Sequence, residues 1–210
     1  MTSAPRQKDA TVFVVDDDPA VREYLRWLIT SVGLNVRTCA SAQEFLDTYD
    51  AAGVGCLVLD VRMPGQSGLD LQAELTVRRI SIPIIMMTGY AEVPMAVRAM
   101  RAGAIDFIQK PFDGQMLLDR IQQAVDSDRA SRQMQAERVR IMTMLDRLPP
   151  RQRAVLDGLV AGKTSKVIAA ELGLSPKTVD VHRGRLMERL GAQSLPDLFR
   201  LILLARAEKA

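Results

Sequence analysis

Five short apolar runs of β-type residues, separated by stretches of helical periodicity, constrain this chain more than any other feature. They fall at residues 11–15, 36–39, 54–59, 83–87 and 104–108. The runs are too short for buried helices and are bounded by turn-forming residues, so they predict buried strands. After the first run, Val21, Leu25, Leu28, Ile29 and Val32 recur at helical spacing behind Asp18 as N-cap and Pro19 at the first helical position. Ser67-x-x-Asp70 is a capping box for a further helix that ends near Arg79. Strand–helix alternation of this kind predicts a parallel sheet covered on both faces. Connections of this length favour an α/β fold with a doubly wound five-stranded sheet, flavodoxin-like in type.

The remainder of the chain is different. From Gln115 to Leu148 there is no Gly or Pro, and helix formers dominate. Leu117, Leu118, Ile121 and Val125 form an apolar stripe that can close the last helix of the first domain. Residues 126–132 are almost entirely polar, and Met134, Ile141 and Leu148 then recur every seven residues, with Leu145 beside them. Two readings fit this stretch: a solvated helical linker, or a short coiled-coil seam between two protomers. Pro149-Pro150 stops the helix. Four amphipathic pieces follow, near 151–161, 164–171, 175–190 and 195–206, punctuated by Gly162, Gly173 and Gly191. The expected organisation is a first domain over residues 1–125, a long helical linker over 126–148 and a small all-α domain over 149–210.

Charge separates these regions. Residues 1–112 carry eleven Lys/Arg against thirteen Asp/Glu, 113–148 carry six of each, and 149–210 carry eleven against six. The basic excess lies in the last segment and points to a polyanionic partner there. Cys39 and Cys56 sit in strand-like apolar runs and read as reduced, buried thiols. No apolar run reaches the roughly 18–20 residues of a membrane span, and the polar N-terminal stretch has no h-region, so a cytoplasmic protein without a membrane partner is expected.

The unusual polar residues of the first domain gather at predicted strand ends, where doubly wound sheets bind ligands. Strand one runs into Asp16-Asp17-Asp18, strand three into Asp60, strand four into Thr88-Gly89 and strand five into Lys110-Pro111. Three carboxylates on one rim repel one another unless a cation neutralises them. Hard oxygen donors suit Mg²⁺, which keeps several waters and shares itself with phosphate. A carboxylate can accept a phosphoryl group as an aspartyl-phosphate, with a hydroxyl and an ammonium to steady its oxygens. Each residue also has a plainer role: cap, turn or surface charge.

In order and spacing, Val14-Val15-Asp16-Asp17-Asp18, Leu59-Asp60-Val61-Arg62-Met63-Pro64-Gly65, Met87-Thr88-Gly89 and Asp106-Phe107-Ile108-Gln109-Lys110-Pro111-Phe112 resemble the receiver-domain signature. The resemblance implies Asp60 as phosphoacceptor, with Asp17 and Asp60 ligating Mg²⁺ directly, Asp16 through water and Arg62 through its backbone carbonyl. It implies Thr88 and Lys110 on the phosphoryl oxygens, Phe107 as the aromatic switch (a position often Tyr in the family) and a cis Lys110-Pro111 bond.

In the basic segment, Gly173-Leu174 makes a turn between two helices, and Ser175 caps the second with Pro176 behind it. Val179, Leu186 and Leu190 share the stripe expected to face the core; Lys177, Val181, Gly184 and Glu188 lie opposite, with Asp180 and Arg185 on the shoulders and His182 and Arg183 flanking the buried side. Gly184 costs about 1 kcal/mol against Ala in a helix, which close approach to another surface would explain. The run from Lys166 to His182 is similar to the LuxR-type helix-turn-helix, and the two segments together resemble the NarL/FixJ family of two-component response regulators. By that resemblance Asp180, Val181 and Gly184 occupy base-reading positions, and Asp180 either accepts from cytosine or excludes phosphate. Lys177, Thr178, Arg183 and Arg185 are candidate DNA-backbone contacts, and His182 a packing or phosphate-contact residue.

The implied protein accepts a phosphoryl group from a sensor histidine kinase, dimerises and binds promoter DNA, with RNA polymerase a further possible partner. Met95, Ala96, Ala99 and Met100 are candidates for the dimer face or, equally, for core packing. An aspartyl-phosphate phosphohydrolase is the enzymatic alternative. Such enzymes carry an acid two residues after the nucleophile, where this chain has Arg62, so a non-enzymatic regulator is expected.

Overall fold

A computed structural model describes residues 10–90 and 93–206. The polar N-terminal stretch, apart from Ala10, lies outside the described residues. The chain divides into two compact units, Met1–Arg132 and Gln133–Ala210.

The first unit has strands β1 (Ala10–Val15), β2 (Asn35–Cys39), β3 (Val54–Asp60), β4 (Ile84–Thr88) and β5 (Asp106–Gln109). They pair in parallel in the order β2-β1-β3-β4-β5. The strand order reverses next to β1, and this is the switch point where such sheets bind ligands. Helices α1 (Pro19–Ser31), α2 (Ala42–Thr48), α3 (Gly68–Val77) and α4 (Val93–Arg101) alternate with the strands. Alternate side chains of the strands feed two apolar layers, as a sheet covered on both faces requires. One holds Val12, Val14, Val58 and Met87 with Leu25 and Ile29 of α1; the other holds Phe13, Val15, Leu57, Leu59 and Met86 with Phe45 and Leu71. Both cysteines are buried free thiols, and burial pushes each thiol up.

The expected caps form. Asp18 accepts from the Ala20 amide at 2.8 Å, and Ser67 and Asp70 make the full capping box of α3. That helix ends at Val77, two residues earlier than the sequence suggested, because Arg79 adopts φ 57° and turns the chain.

Helix α5 (Gly114–Asp146) is continuous through 33 residues. Leu117, Leu118, Ile121 and Val125 close the first unit as their spacing predicts. The stretch after Val125 is not simply solvated: Asp128 is buried within the first unit, and the division between units falls at Arg132, inside the stretch expected to be linker. The heptad residues also part company. Ile141 and Leu148 are buried in the second unit's core, whereas Met134 is 61% exposed. Ile141 and Leu148 therefore belong to the second unit's own core, and Met134 does not. Ile141→Val should cost about 1 kcal/mol on thermal or urea unfolding, and Met134→Ala less than about 0.5 kcal/mol. Equal costs would place both on one solvent face.

The second unit is completed by α6 (Pro150–Val160), α7 (Ser165–Leu172), α8 (Pro176–Leu190) and α9 (Leu195–Arg206). Val155, Leu159, Ile168, Val179, Leu186, Leu190, Leu198 and Ile202 fill its core.

Candidate functional site: an acidic rim and a basic helix

The C-terminal ends of β1, β3, β4 and β5 bring Asp16, Asp60, Thr88 and Lys110 to one rim. Asp16, Asp60 and Thr88 are each at most 5% exposed. The Lys110 ammonium donates to Asp16 Oδ2 at 2.5 Å and to Asp60 Oδ1 at 2.6 Å. The other carboxylate oxygens are held by main chain: the Asp18 amide donates to Asp16 Oδ1 at 3.0 Å, and the Arg62 amide to Asp60 Oδ2 at 2.8 Å. Burial pushes the Asp60 carboxyl up, and the Lys110 bond and charge oppose it. Burial likewise pulls the lysine down, but its bonds to Asp16 and Asp60 outweigh that, and the net shift is upward. Two buried acids thus share one ammonium.

Of the three acids expected to meet, two converge. Asp17 is exposed beside them, and Arg22 Nη1 donates to the main-chain oxygens of Asp16 and Asp17 at 2.7 and 2.9 Å. Among the described residues no three acid, His or Cys side chains are gathered into a metal shell. Such a donor set fits Mg²⁺, which takes one or two carboxylates and retains water, better than an all-protein cage ion.

The Thr88 hydroxyl bonds the Tyr90 main chain in both directions at 3.3 Å, and the Lys110 amide donates to the Thr88 carbonyl at 2.7 Å. The Lys110-Pro111 bond is cis. Phe107 is half-buried against the layer that contains Leu59 and Met86. The Arg62 guanidinium lies 5.1 Å from the Tyr90 ring centroid, a cation–π contact that the sequence did not announce. Arg22 was missed too, because its role runs through main-chain oxygens. On α4, Ala99 is fully buried in the core, Met95 and Ala96 are half-buried, with Met95 packed on the core, and Met100 is exposed.

In the second unit, α7 ends at Gly173 with φ 64°, a conformation that favours glycine, and the Ser175 hydroxyl accepts from the Thr178 amide to start α8. Val179, Leu186 and Leu190 are buried. Lys177, Asp180, Val181, Gly184, Arg185 and Glu188 are exposed, while Thr178, His182 and Arg183 are half-buried. A Cβ at Gly184 would meet nothing within 4 Å, so packing inside the chain does not require the glycine. Asp180 has a further role: its Oδ1 accepts from the Ser165 hydroxyl at 2.9 Å and faces Arg183 at 3.7 Å, tying the two helices of the motif together. The Thr178 hydroxyl is engaged with Ser175. Among the described residues His182 Nδ1 is buried without a hydrogen-bond partner.

An acid-rimmed receiver fold and a helix-turn-helix unit with an exposed second helix define a two-part signalling regulator. Residues 12–122 match the response regulator receiver domain, and residues 146–202 match the luxR family of bacterial regulatory proteins. The chain is 46% identical over 192 residues to nodulation protein W of Bradyrhizobium diazoefficiens, covering 91% of this chain and 85% of that protein. It is 42% identical over 195 residues to the transcriptional regulatory protein FixJ of Rhizobium meliloti, covering 93% and 96% respectively. Among solved structures, the response regulator StyR matches with 44% identity and a TM-score of 0.82 over 92% of this chain and 98% of that one. This chain belongs to the response regulator family, with a receiver domain joined to a luxR-type DNA-binding domain.

Proposed function

We propose that this chain is a phosphorylation-gated transcription regulator whose phosphoacceptor is Asp60. The observation that carries the reading is the Lys110 ammonium shared by Asp16 and Asp60, since it assembles an acceptor, a second acid and a cation on a buried rim. A response regulator implies a histidine kinase and DNA as partners. In the transfer, an Asp60 carboxylate oxygen forms the new bond to phosphorus as the N–P bond of the kinase phosphohistidine breaks. The electron pair remains on the imidazole, which then takes up a proton. Receivers normally bind Mg²⁺ at the phosphorylation site. Here Asp60, the Arg62 main-chain carbonyl and, once its exposed side chain turns in, Asp17 would hold it, with Asp16 acting through water, and it would supply positive charge against the phosphoryl oxygens. Lys110 turns its ammonium to one phosphoryl oxygen, and the Thr88 hydroxyl leaves Tyr90 to donate to another. Phe107 reports the change through burial of its ring, having no hydroxyl to bond.

Residues 1–125 act as receiver and 149–210 as effector, and of the expected linker 126–148 the first part is held by the receiver as far as Arg132 while Ile141 and Leu148 join the effector's core. The modified chain dimerises, and two effectors occupy half-sites roughly 34–36 Å apart. Among the described residues no helix is long and apolar enough to cross a membrane; we place the protein in the cytoplasm. Its relatives are transcriptional regulators, and with Val61 and Arg62 after Asp60 there is no acid to protonate a leaving group, so we assign no substrate turnover.

The test is intact-mass measurement after exposure to a small acyl-phosphate donor. One phosphoryl group should appear with Mg²⁺ and disappear with a chelator; no mass increase would sink the reading. On DNA, Lys177 and Arg185 act as phosphate contacts, with Val181 and Gly184 toward the bases. Lys177→Ala or Arg185→Ala should weaken binding and reduce the salt slope by about one unit per lost contact. An unchanged slope would turn those side chains away from the duplex.

A further inference from the structure

Asp128 is an acid on the stretch of α5 that reads as the most solvated, yet it is 4% exposed. The reason lies in the sheet. Strand β3 pairs with β1 from Val54 onward, but its ladder with β4 starts only at Leu57. The Leu57 amide reaches Pro83 on the β4 side, so the Gly55 amide, two residues earlier, points the same way with no strand to receive it. Asp128 Oδ2 fills that slot, accepting from the Gly55 amide at 2.9 Å. The same oxygen accepts from Arg132 Nε at 2.7 Å, and Arg132 Nη1 donates to the Ala51 carbonyl at 2.6 Å. Gly55 leaves no slack, because a Cβ there would come within 2.1 Å of the Thr11 carbonyl oxygen.

The apolar stripe that seats α5 on the sheet ends at Val125. Beyond it, the bonds of Asp128 to the Gly55 amide and of Arg132 to the Ala51 carbonyl hold the helix as far as Arg132, while the Asp128–Arg132 ion pair lies within the helix. Polar bonds exchange for bonds to water on opening, so each holds by only a modest net free energy, and a joint made of a few of them can open while the apolar packing up to Val125 stays in place. The strand they grip is β3, and its other end is Asp60.

We propose that Asp128 and Arg132 form a breakable joint through which β3, and with it the state of Asp60, controls the continuing part of α5. Closed, the joint carries the receiver's rigid body to Arg132; open, α5 is anchored only to Val125 and nearly two helical turns become free. This inference rests on the phosphoacceptor reading of Asp60 and names a route for its regulation. Asp128 and Arg132 are positioning residues and touch no reacting atom.

The experiment uses the full chain, unaltered and as Asp128→Asn and Arg132→Gln. Asparagine keeps the size and one acceptor oxygen, and the arginine variant leaves the Gly55 amide partnered, so at least one should fold. Three quantities are read: phosphoryl incorporation, amide exchange along α5, and the gain in DNA affinity on phosphorylation. The DNA probe is a duplex selected from a random pool by the phosphorylated unaltered chain. Incorporation should be unchanged, exchange over residues 126–132 should rise about tenfold or more while 117–125 stays protected, and the affinity gain should fall by about threefold or more. Faster exchange with the full affinity gain would overturn the joint, as would no change in exchange. Failure of the unaltered chain to take phosphoryl would instead overturn the phosphoacceptor reading, and the joint's signalling role with it.

Discussion

Asp60→Asn is expected to lower phosphoryl incorporation by about two orders of magnitude or more, to the background of the measurement. The amide has no anionic oxygen to attack phosphorus. The fold should survive. Asparagine keeps an oxygen for the Arg62 amide, and Lys110 keeps Asp16 as its partner. Replacing a desolvated anion by a neutral isostere also removes a burial cost, so the change in stability should stay within about 1 kcal/mol. Intact-mass spectrometry and a thermal melt check both halves. Full incorporation into a folded variant would move the acceptor elsewhere and unseat the rim as the signalling site.

Much of the rim was legible because its residues follow predicted strands. Strand identity came from short apolar runs, and a doubly wound sheet brings all C-terminal strand ends to one side, so Asp16, Asp60, Thr88 and Lys110 had to be neighbours. The caps Asp18, Ser67 and Ser175 were legible because their bonds are local. What stayed hidden depends on nonlocal pairing. Asp128 and Arg132 sit four apart on a helix, a spacing that reads as a surface ion pair. Only the unequal lengths of the β1–β3 and β3–β4 ladders create the unfilled slot that buries the acid. The heptad of Met134, Ile141 and Leu148 was ambiguous for a related reason. Periodicity shows that a face is apolar but not what covers it, and here two of the three residues are covered by the helical domain itself. On α8 the buried and exposed stripes followed from helical spacing, yet the bond from Ser165 to Asp180 required α7 to be placed against α8.

Gly68→Ala should destabilise the receiver by about 3 kcal/mol and lower its melting temperature by about 10 °C. Two effects compete at this position. Alanine is the better helix former, worth up to about 1 kcal/mol in a helix interior and less at the first turn of α3. Against that, a Cβ would lie 2.2 Å from the Asp60 carbonyl oxygen and 3.1 Å from Leu59 Cγ. The first neighbour is backbone of a central strand and cannot swing aside as a side-chain tip can. The Gly68 amide also donates to the Val61 carbonyl at 3.0 Å, which fixes the start of α3 against the end of β3 and closes the easiest route of relief. Steric cost therefore exceeds propensity gain. Because the displaced atom belongs to Asp60, phosphoryl incorporation in the folded fraction should slow as well, though less than in Asp60→Asn. A melt unchanged within about 1 °C would show that α3 can shift away, and that the close packing of its first turn does not hold the phosphoacceptor in place.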